Sequence, residues 1–277
     1  MSALAALRPG SAPSAATRLA FAGFGDPQFH APLSLEPATH RELQVRNLER
    51  NLQVRPDRDS PASHYGISRL PQLPDTALEL REIAAILKAA SSDVLLGTEA
   101  SETNVKERRL DQYRVLMFAT HGLAPGDIDG LTQPALALSN PQITGEPDAD
   151  GLLTLDEVLG LKLNADWVVL SACNTAAGNG AGGEAVSGLG RAFFYAGARA
   201  LLVSNWPVET VSARLITTDL FRRQSEDPSL TRGQALRQTL LNLIDRGEAK
   251  DAPGRARFTY AHPMFWAPFS LVGDAGG

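Results

Sequence analysis

The chain has 277 residues, a single cysteine and a formal net charge of −5. This length accommodates one large domain or two small ones, and 43% hydrophobic with 21% charged residues is ordinary for a globular protein. A single cysteine excludes an internal disulfide, which favours the reducing cytoplasm. An acidic chain without a Lys/Arg cluster gives no reason to expect nucleic acid or an anionic membrane as a partner.

Residues 1–17 are rich in Ala, Ser and Pro and lack the basic segment and apolar core of a signal peptide. We interpret them as a linker-like leader, as if cut from a longer chain, and assign residues 18–277 to one domain. Within that domain the polar stretch 26–74 is predicted to be a variable, exposed insertion. No apolar run approaches the about 20 residues that a membrane-spanning helix needs, so no membrane contact is expected.

The first half of the domain alternates short apolar runs with segments of helical periodicity. Three strands are predicted there, at residues 18–24, 93–97 and 114–121. Two helices are predicted, at residues 75–89 and 101–110. Asp75 is the expected N-cap of the first helix, because a short polar side chain can accept a free backbone N–H at a helix start, and the second helix is predicted to open at Ser101.

The second half continues the same alternation. Further strands are predicted at residues 134–139, 167–172, 199–206 and 265–273. Further helices are predicted at residues 154–161, 209–223 and 231–247, the first of them opened by a Thr154/Glu157 capping box. The helix that follows Cys173 carries one apolar stripe, formed by Ala185, Leu189, Ala192, Phe193 and Ala196.

Apolar strands separated by amphipathic helices predict an α/β fold, with a mostly parallel sheet flanked by helices on both faces. In such sheets ligands bind beyond the carboxyl ends of the strands. His121 and Cys173 both follow such strand ends, and they are 52 residues apart. If the two strands leave the same edge of one sheet, these side chains can lie side by side.

Cys173 has three interpretations. A free cysteine is most often a small buried hydrophobe, and a lone histidine at a strand end is most often structural. Alternatively, GNGAGG at residues 178–183 matches G-x-G-x-x-G, with Glu209 as the ribose acceptor of a dinucleotide site. The segment CNTAA separates that loop from the strand, however, whereas a pyrophosphate loop follows its strand almost at once.

The third interpretation is a thiol nucleophile. A cysteine needs a neighbouring base, and His121 supplies one. The N–H groups of Gly122 and Cys173 can form a two-donor oxyanion hole. In caspases the histidine also precedes the cysteine by about 50 residues. No metal or organic cofactor is required for this chemistry, and the sequence has no ligand cluster with metal spacing.

The segments VLMFATHG, WVVLSACNTAAG, GGEAVSGLGRAFFYAGARALLVSNWPVE and HPMFWAPFSLVGD resemble the CHAT domain, a bacterial branch of the caspase and separase group. The resemblance implies a caspase-like fold and a cysteine endopeptidase with a His121–Cys173 dyad acting on a protein or peptide substrate. Around Cys173 the sequence SACNT differs from the caspase pattern, so specificity for aspartate is not implied. A tetratricopeptide-repeat region is the regulatory partner that the resemblance implies.

Substrate specificity rests on acidic side chains near the expected cleft. Related separases and clostripain-like proteases favour a basic residue before the scissile bond, at P1. Glu209 is therefore the first candidate for reading P1, and Asp127 and Asp129 are the others, although both also suit solvated loops. Glu184 is expected to stabilise the start of its own helix. The alternative to an enzyme is a non-catalytic module that binds a partner peptide in the same groove.

Overall fold

The computed structural model describes residues 18–30, 66–171, 181–206, 208–250 and 256–276. The strands in these ranges are β1 (Leu19–Pro27), β2 (Val94–Gly97), β3 (Tyr113–Ala119), β4 (Gly122–Leu123), β5 (Ala135–Ala137), β6 (Leu152–Thr154), β7 (Trp167–Leu170), β8 (Ala200–Ser204), β9 (Glu248–Lys250), β10 (Ala256–Thr259) and β11 (Phe269–Gly273). The α-helices are α1 (Pro74–Ile86), α2 (Glu102–Glu107), α3 (Pro141–Thr144), α4 (Leu155–Gly160), α5 (Ala181–Ala196), α6 (Thr210–Glu226), α7 (Arg232–Arg246) and α8 (Pro263–Trp266). Single 3-10 turns lie at Ile67–Arg69, Ser91–Asp93 and Leu110–Gln112.

Six strands form the central sheet, in the order β11-β8-β7-β3-β1-β2. All neighbouring pairs are parallel except β11 and β8, which pair antiparallel at one edge. All four residues of β7 and all five of β8 are buried, because helices cover both faces of the sheet. The predicted α/β class with a mostly parallel sheet is therefore confirmed, and the architecture is consistent with a caspase-like fold.

The side chains of β3 alternate between two cores, one on each face of the sheet. Leu116 and Phe118 enter the core under α4 and α5, whereas Met117 enters the core under α1, α6 and α7. In the first core the ring of Phe118 stacks on Phe24 at a centroid distance of 5.2 Å and contacts Phe193 at 5.5 Å. Because successive side chains of a strand point to opposite faces, β3 packs against the helices on both sides of the sheet.

Two predicted helix starts are confirmed. The Ser101 side chain caps α2 by accepting the N–H of Asn104. Thr154 and Glu157 form the capping box at α4, where the Glu157 carboxylate accepts the Thr154 N–H at 2.8 Å. The long helices α6 and α7 cover the residues that periodicity predicts, with small shifts at their ends.

The prediction of Asp75 as the N-cap of α1 is wrong. Leu73 is the N-cap and Pro74 is the first helical residue. Proline suits that position because its fixed φ matches the helix and the N–H that it lacks would have no partner there. Asp75 lies within the first turn instead, and its carboxylate accepts the Thr210 hydroxyl of α6 at 3.2 Å.

Two small sheets lie outside the central one and were not predicted as sheets. Strands β4, β5 and β6 form an antiparallel sheet directly after β3, and β9 pairs with β10 as a hairpin. Only β5 was predicted, within residues 134–139. Among the described residues, none of the helices is both long enough and apolar enough to cross a bilayer.

Candidate active site

The carboxyl ends of β3 and β7 lie side by side at the centre of the sheet. The two strands are parallel neighbours, and each paired residue of β7 follows its partner in β3 by 52 positions, from Val115 with Trp167 to Phe118 with Leu170. His121 comes two residues after the end of β3. Cys173 lies outside the described residues, which include this part of the chain up to Ser171.

The imidazole ring of His121 is fixed by a hydrogen bond and by a ring contact. The Nε2 atom lies 2.8 Å from the Pro71 carbonyl oxygen. A carbonyl can only accept, so Nε2 carries the hydrogen and Nδ1 of the neutral ring is left as the acceptor. The ring also packs against Phe29 at a centroid distance of 5.5 Å. Burial lowers the pKa of His121, and the Pro71 carbonyl opposes that shift only in part.

Gly122 begins β4 immediately after His121. It lies opposite Leu136 in the antiparallel pair with β5, and the neighbouring His121 carbonyl accepts the Ala137 N–H at 2.9 Å. Hydrogen-bonded and non-hydrogen-bonded pairs alternate in an antiparallel ladder, so Gly122 occupies a non-hydrogen-bonded position. Its N–H therefore faces away from β5, as the oxyanion-hole prediction requires.

Asp127, one of the two predicted loop acids, has a local structural role. The Asp127 carboxylate accepts the Ala124 N–H at 2.7 Å and so closes the loop that follows β4. Asp127 is half-buried, whereas Asp129 is exposed. Contact of either residue with substrate stays a prediction.

Glu209 is the N-cap of α6. Its two carboxylate oxygens accept the N–H groups of Val211 at 3.1 Å and Ser212 at 2.7 Å. Burial raises the pKa of Tyr260 to about 12, and the nearby charge of Glu209 contributes to that shift. The Glu209 carboxylate therefore already has a structural role as a helix cap, and its role in reading P1 stays a prediction.

Asp26, at the end of β1, is an acidic residue at this edge to which no sequence pattern pointed. Its φ of 45° is in the left-handed region, which residues other than glycine rarely adopt. The Gln72 amide donates to the Asp26 carboxylate at 2.8 Å and to the Pro27 carbonyl at 2.7 Å. Burial raises the pKa of Asp26, an effect that the Gln72 hydrogen bond opposes.

Pro71 and Gln72 connect the two parts of this edge, because one contacts His121 and the other contacts Asp26. Both belong to the stretch 26–74 that the sequence analysis treated as a variable insertion. A backbone carbonyl leaves no residue signature, so the Pro71 contact could not have been found from the sequence. The Asp26-Pro27 pair does signal a break after β1, but not which side chain meets it.

The dinucleotide interpretation concerns residues 178–183, of which 178–180 lie outside the described residues, as does Cys173 itself. The Glu209 carboxylate, the ribose acceptor of that alternative, is engaged by the α6 cap. In the part of the chain that the structure describes, no group of three or more His, Cys, Asp or Glu side chains is arranged to hold a metal ion.

Comparison with known proteins gives one family and one relative. A family model described as "CHAT domain" matches residues 2–274, which is nearly the whole chain. A mouse (Mus musculus) protein named Tetratricopeptide repeat protein 28 is 31% identical over 123 residues. That match covers 44% of this chain and 4% of the mouse protein, so the chain corresponds to a small part of that relative.

Proposed function

The chain belongs to the CHAT domain family, and on that basis we propose that it is a cysteine endopeptidase with His121 and Cys173 as its catalytic dyad. The observation that carries the proposal is the register of β3 and β7, whose paired residues are 52 positions apart. Cys173 follows His121 by the same 52 positions. Adjacent strands are about 4.8 Å apart, a separation that suits a nucleophile and its base.

The geometry of His121 supports its role as the base. Its lowered pKa keeps the imidazole neutral near pH 7, and the Pro71 contact leaves Nδ1 to accept the thiol proton. The Cys173 sulfur then attacks the scissile carbonyl, and the N–H groups of Gly122 and Cys173 bind the oxyanion. The Nδ1 proton passes to the leaving amine, and water hydrolyses the resulting thioester to free the thiol.

Substrate preference follows from the acidic residues at the same edge. Asp26 and Glu209 both lie there, joined through the first turn of α1 by the Asp26–Thr76 and Asp75–Thr210 hydrogen bonds. A carboxylate at this edge favours Arg or Lys at P1 through a charge-assisted hydrogen bond. We assign Glu209 as the first candidate reader, with Asp127 and Asp129 as further candidates.

Regulation by a tetratricopeptide-repeat region is part of the proposal. The mouse relative is named for such repeats, and this chain matches only a short part of it. We expect the isolated chain to cleave ordinary peptides slowly and to be stimulated by a fused or separate regulator. Full turnover by the purified chain without a partner would contradict this.

The test of the dyad is labelling of Cys173, the sole thiol, by a thiol-reactive peptidyl probe, read by intact mass. We expect labelling in the wild type and its loss in His121→Ala, with cleavage of a peptide library lost in both His121→Ala and Cys173→Ala. His262→Ala is the matched control, because it removes an exposed imidazole that caps α8. Binding of library peptides without any cleavage would instead indicate the non-catalytic peptide-binding module.

A further inference from the structure

The segment that carries Pro71 lies outside the helices and strands. It runs between the 3-10 turn Ile67–Arg69 and α1, which begins at Pro74. The Pro71 carbonyl nevertheless accepts the Nε2–H of His121 at 2.8 Å, although the two residues are 50 positions apart in sequence. A loop with few contacts of its own opens easily, so a lasting contact with so distant a residue needs a second attachment close by.

The side chain of Gln72 supplies that attachment. Its amide nitrogen donates to the Pro27 carbonyl at 2.7 Å and to the Asp26 carboxylate at 2.8 Å, and it also lies 3.3 Å from the Asp26 carbonyl. The two shortest contacts account for both hydrogens of the amide. Asp26 and Pro27 are the last residues of β1, so Gln72 ties the Pro71 segment to a strand of the central sheet.

A second tie joins the same segment to the same strand end. The Asp26 N–H donates to the Thr76 hydroxyl at 2.8 Å, and that hydroxyl donates to the Leu73 carbonyl at 2.7 Å. The left-handed φ of 45° at Asp26 is a conformation that persists only where the surroundings hold it. Gln72 and Thr76 contact Asp26 from the segment that follows Pro71, so the strand end and this segment fix each other.

The other contact of the imidazole ring depends on the same strand end. Phe29 follows the last residue of β1 by two positions, is fully buried and packs against the His121 ring at a centroid distance of 5.5 Å. The Phe29 carbonyl accepts from the Asn140 side-chain amide at 3.1 Å. The ring of His121 is therefore placed from the end of β1 in two ways, directly by Phe29 and through Gln72 by way of Pro71.

We propose that Gln72 is a positioning residue for His121. Its amide holds the Pro71 carbonyl at the Nε2–H, which keeps Nδ1 of the neutral ring as the hydrogen-bond acceptor. A backbone carbonyl cannot be removed by substitution, so Gln72 is the side chain through which this contact can be altered. The inference rests on the proposed function, because it treats His121 as the base, but the contacts themselves involve only described residues.

The experiment replaces Gln72 by methionine, which has a similar length and no hydrogen-bond donor. The imidazole of His121 is observed by NMR in the Cys173→Ala chain with isotope-labelled histidine, at about pH 8, where the ring is neutral. We expect a single Nε2–H tautomer whose ring N–H is protected from exchange. In Gln72→Met this hydrogen should exchange with water roughly tenfold faster, and the ring nitrogen shifts should move toward those of the urea-unfolded chain.

Gln133→Met is the matched control, because the Gln133 amide also donates to an aspartate, the Asp156 carboxylate of α4, at 3.2 Å. We expect its ring signals to match those of the parent chain. If Gln72→Met does not fold, Gln72→Asn is the second variant, because its amide is one methylene shorter and cannot reach both Asp26 and Pro27. A merely structural glutamine would lower the midpoint of urea unfolding and leave the ring signals unchanged, and that result would overturn the proposal.

Peptide cleavage by the chain with Cys173 intact separates this inference from the proposed function. Gln72→Met should lower kcat roughly tenfold or more and leave KM nearly unchanged, because the substrate still binds while the base is misoriented. A changed ring signal with an unchanged kcat would reject the positioning role and retain the peptidase. A wild-type chain that cleaves no peptide, but whose ring responds to Gln72→Met, would retain Gln72 as the residue that fixes the ring and reject the peptidase.

Discussion

The residues of the candidate site differ in how far the sequence points to them. His121 and Gly122 could be proposed as site residues from the sequence, because a histidine followed by glycine at the end of an apolar strand has a recognisable pattern. The places of Pro71 and Asp26 at the same edge of the sheet could not. Pro71 acts through its backbone carbonyl, and Asp26 is placed by a left-handed φ of 45°. Such contacts depend on chain segments about 50 residues away in sequence, which no local pattern encodes.

The environment of His121 predicts its titration. Burial lowers its pKa below the ordinary 6.5, so in Cys173→Ala the ring should titrate at a lower pH in the folded chain than in urea. The Cys173→Ala background removes coupling between thiol and imidazole. The measurement is the NMR chemical shift of the ring protons against pH. An apparent pKa equal to or above that of the unfolded chain would contradict the buried, neutral imidazole.

The same shift has a consequence for stability. A histidine with a lowered folded pKa binds its proton more readily in the unfolded chain, so its contribution is full above about pH 6.5 and is lost as pH falls. In the same titration series, the free energy of unfolding should therefore fall on acidification more in Cys173→Ala than in the double variant that also carries His121→Gln.

At the scale of elements, one carboxylate fixes the amino ends of four strands. Asp166 precedes β7 and accepts from Arg18 at 3.0 Å, Arg114 at 3.2 Å and Arg199 at 2.5 Å. These arginines lie at the starts of β1, β3 and β8. Burial alone would raise the pKa of Asp166, but the three guanidinium groups outweigh burial and lower it.

Loss of this carboxylate should destabilise the sheet. Asp166→Asn leaves Arg18, whose side chain is 4% exposed, without its ion pair, and we expect a loss of roughly 3 kcal/mol in the free energy of unfolding. The difference should shrink as pH falls below 3.8, because Asp166 then gains its proton first in the unfolded chain, and in the folded chain only at a lower pH. Asp111→Asn, which breaks an exposed pair with Arg109, is the control and should change nothing measurable. Equal effects of the two substitutions would contradict the interpretation.

The start of α6 separates a capping role from a specificity role for Glu209. Glu209→Ser keeps a side-chain acceptor for the helix N-terminus but removes the charge, whereas Glu209→Ala removes both. If Glu209 reads P1, both variants should lose preference for Arg or Lys in library cleavage, and only Glu209→Ala should lose about 1 kcal/mol of stability. Unchanged P1 preference in Glu209→Ser would leave the residue as a cap alone.

The sequence predicted the long helices and strands correctly, but it did not reveal the shortest strands. The helices α6 and α7 have enough residues to show their period, and the strands β3, β7 and β8 are continuous apolar runs. In contrast, β4 has two residues and β9 three, too few for any alternation to be visible. The prediction of Asp75 as the N-cap was wrong because two start signals stand side by side in the sequence. Pro74 takes the first helical position, which places Asp75 inside the first turn.

At the scale of the molecule, the two cores share a sheet and should unfold as one. Phe118 and Met117 are consecutive residues of β3 that enter opposite cores, and both are fully buried. Any loss of order in one core frees the strands that form the floor of the other. The candidate site lies at the carboxyl ends of these same strands, so its geometry depends on both cores together.

Phe118→Ala tests this coupling, because tryptophan fluorescence reports on the other core. Trp167 packs against Phe221 at 6.0 Å in the core under α1, α6 and α7, and Trp266 packs against the same core. Removing Phe118 should cost about 4 kcal/mol by leaving a cavity, and the fluorescence and circular dichroism transitions should shift together. Leu159→Ala, at a position 44% exposed, is the control and should shift neither transition appreciably. If the midpoint of the fluorescence transition stayed at its wild-type value while that of the circular dichroism transition shifted, the two layers would unfold separately. The geometry of the candidate site would then depend on one core alone.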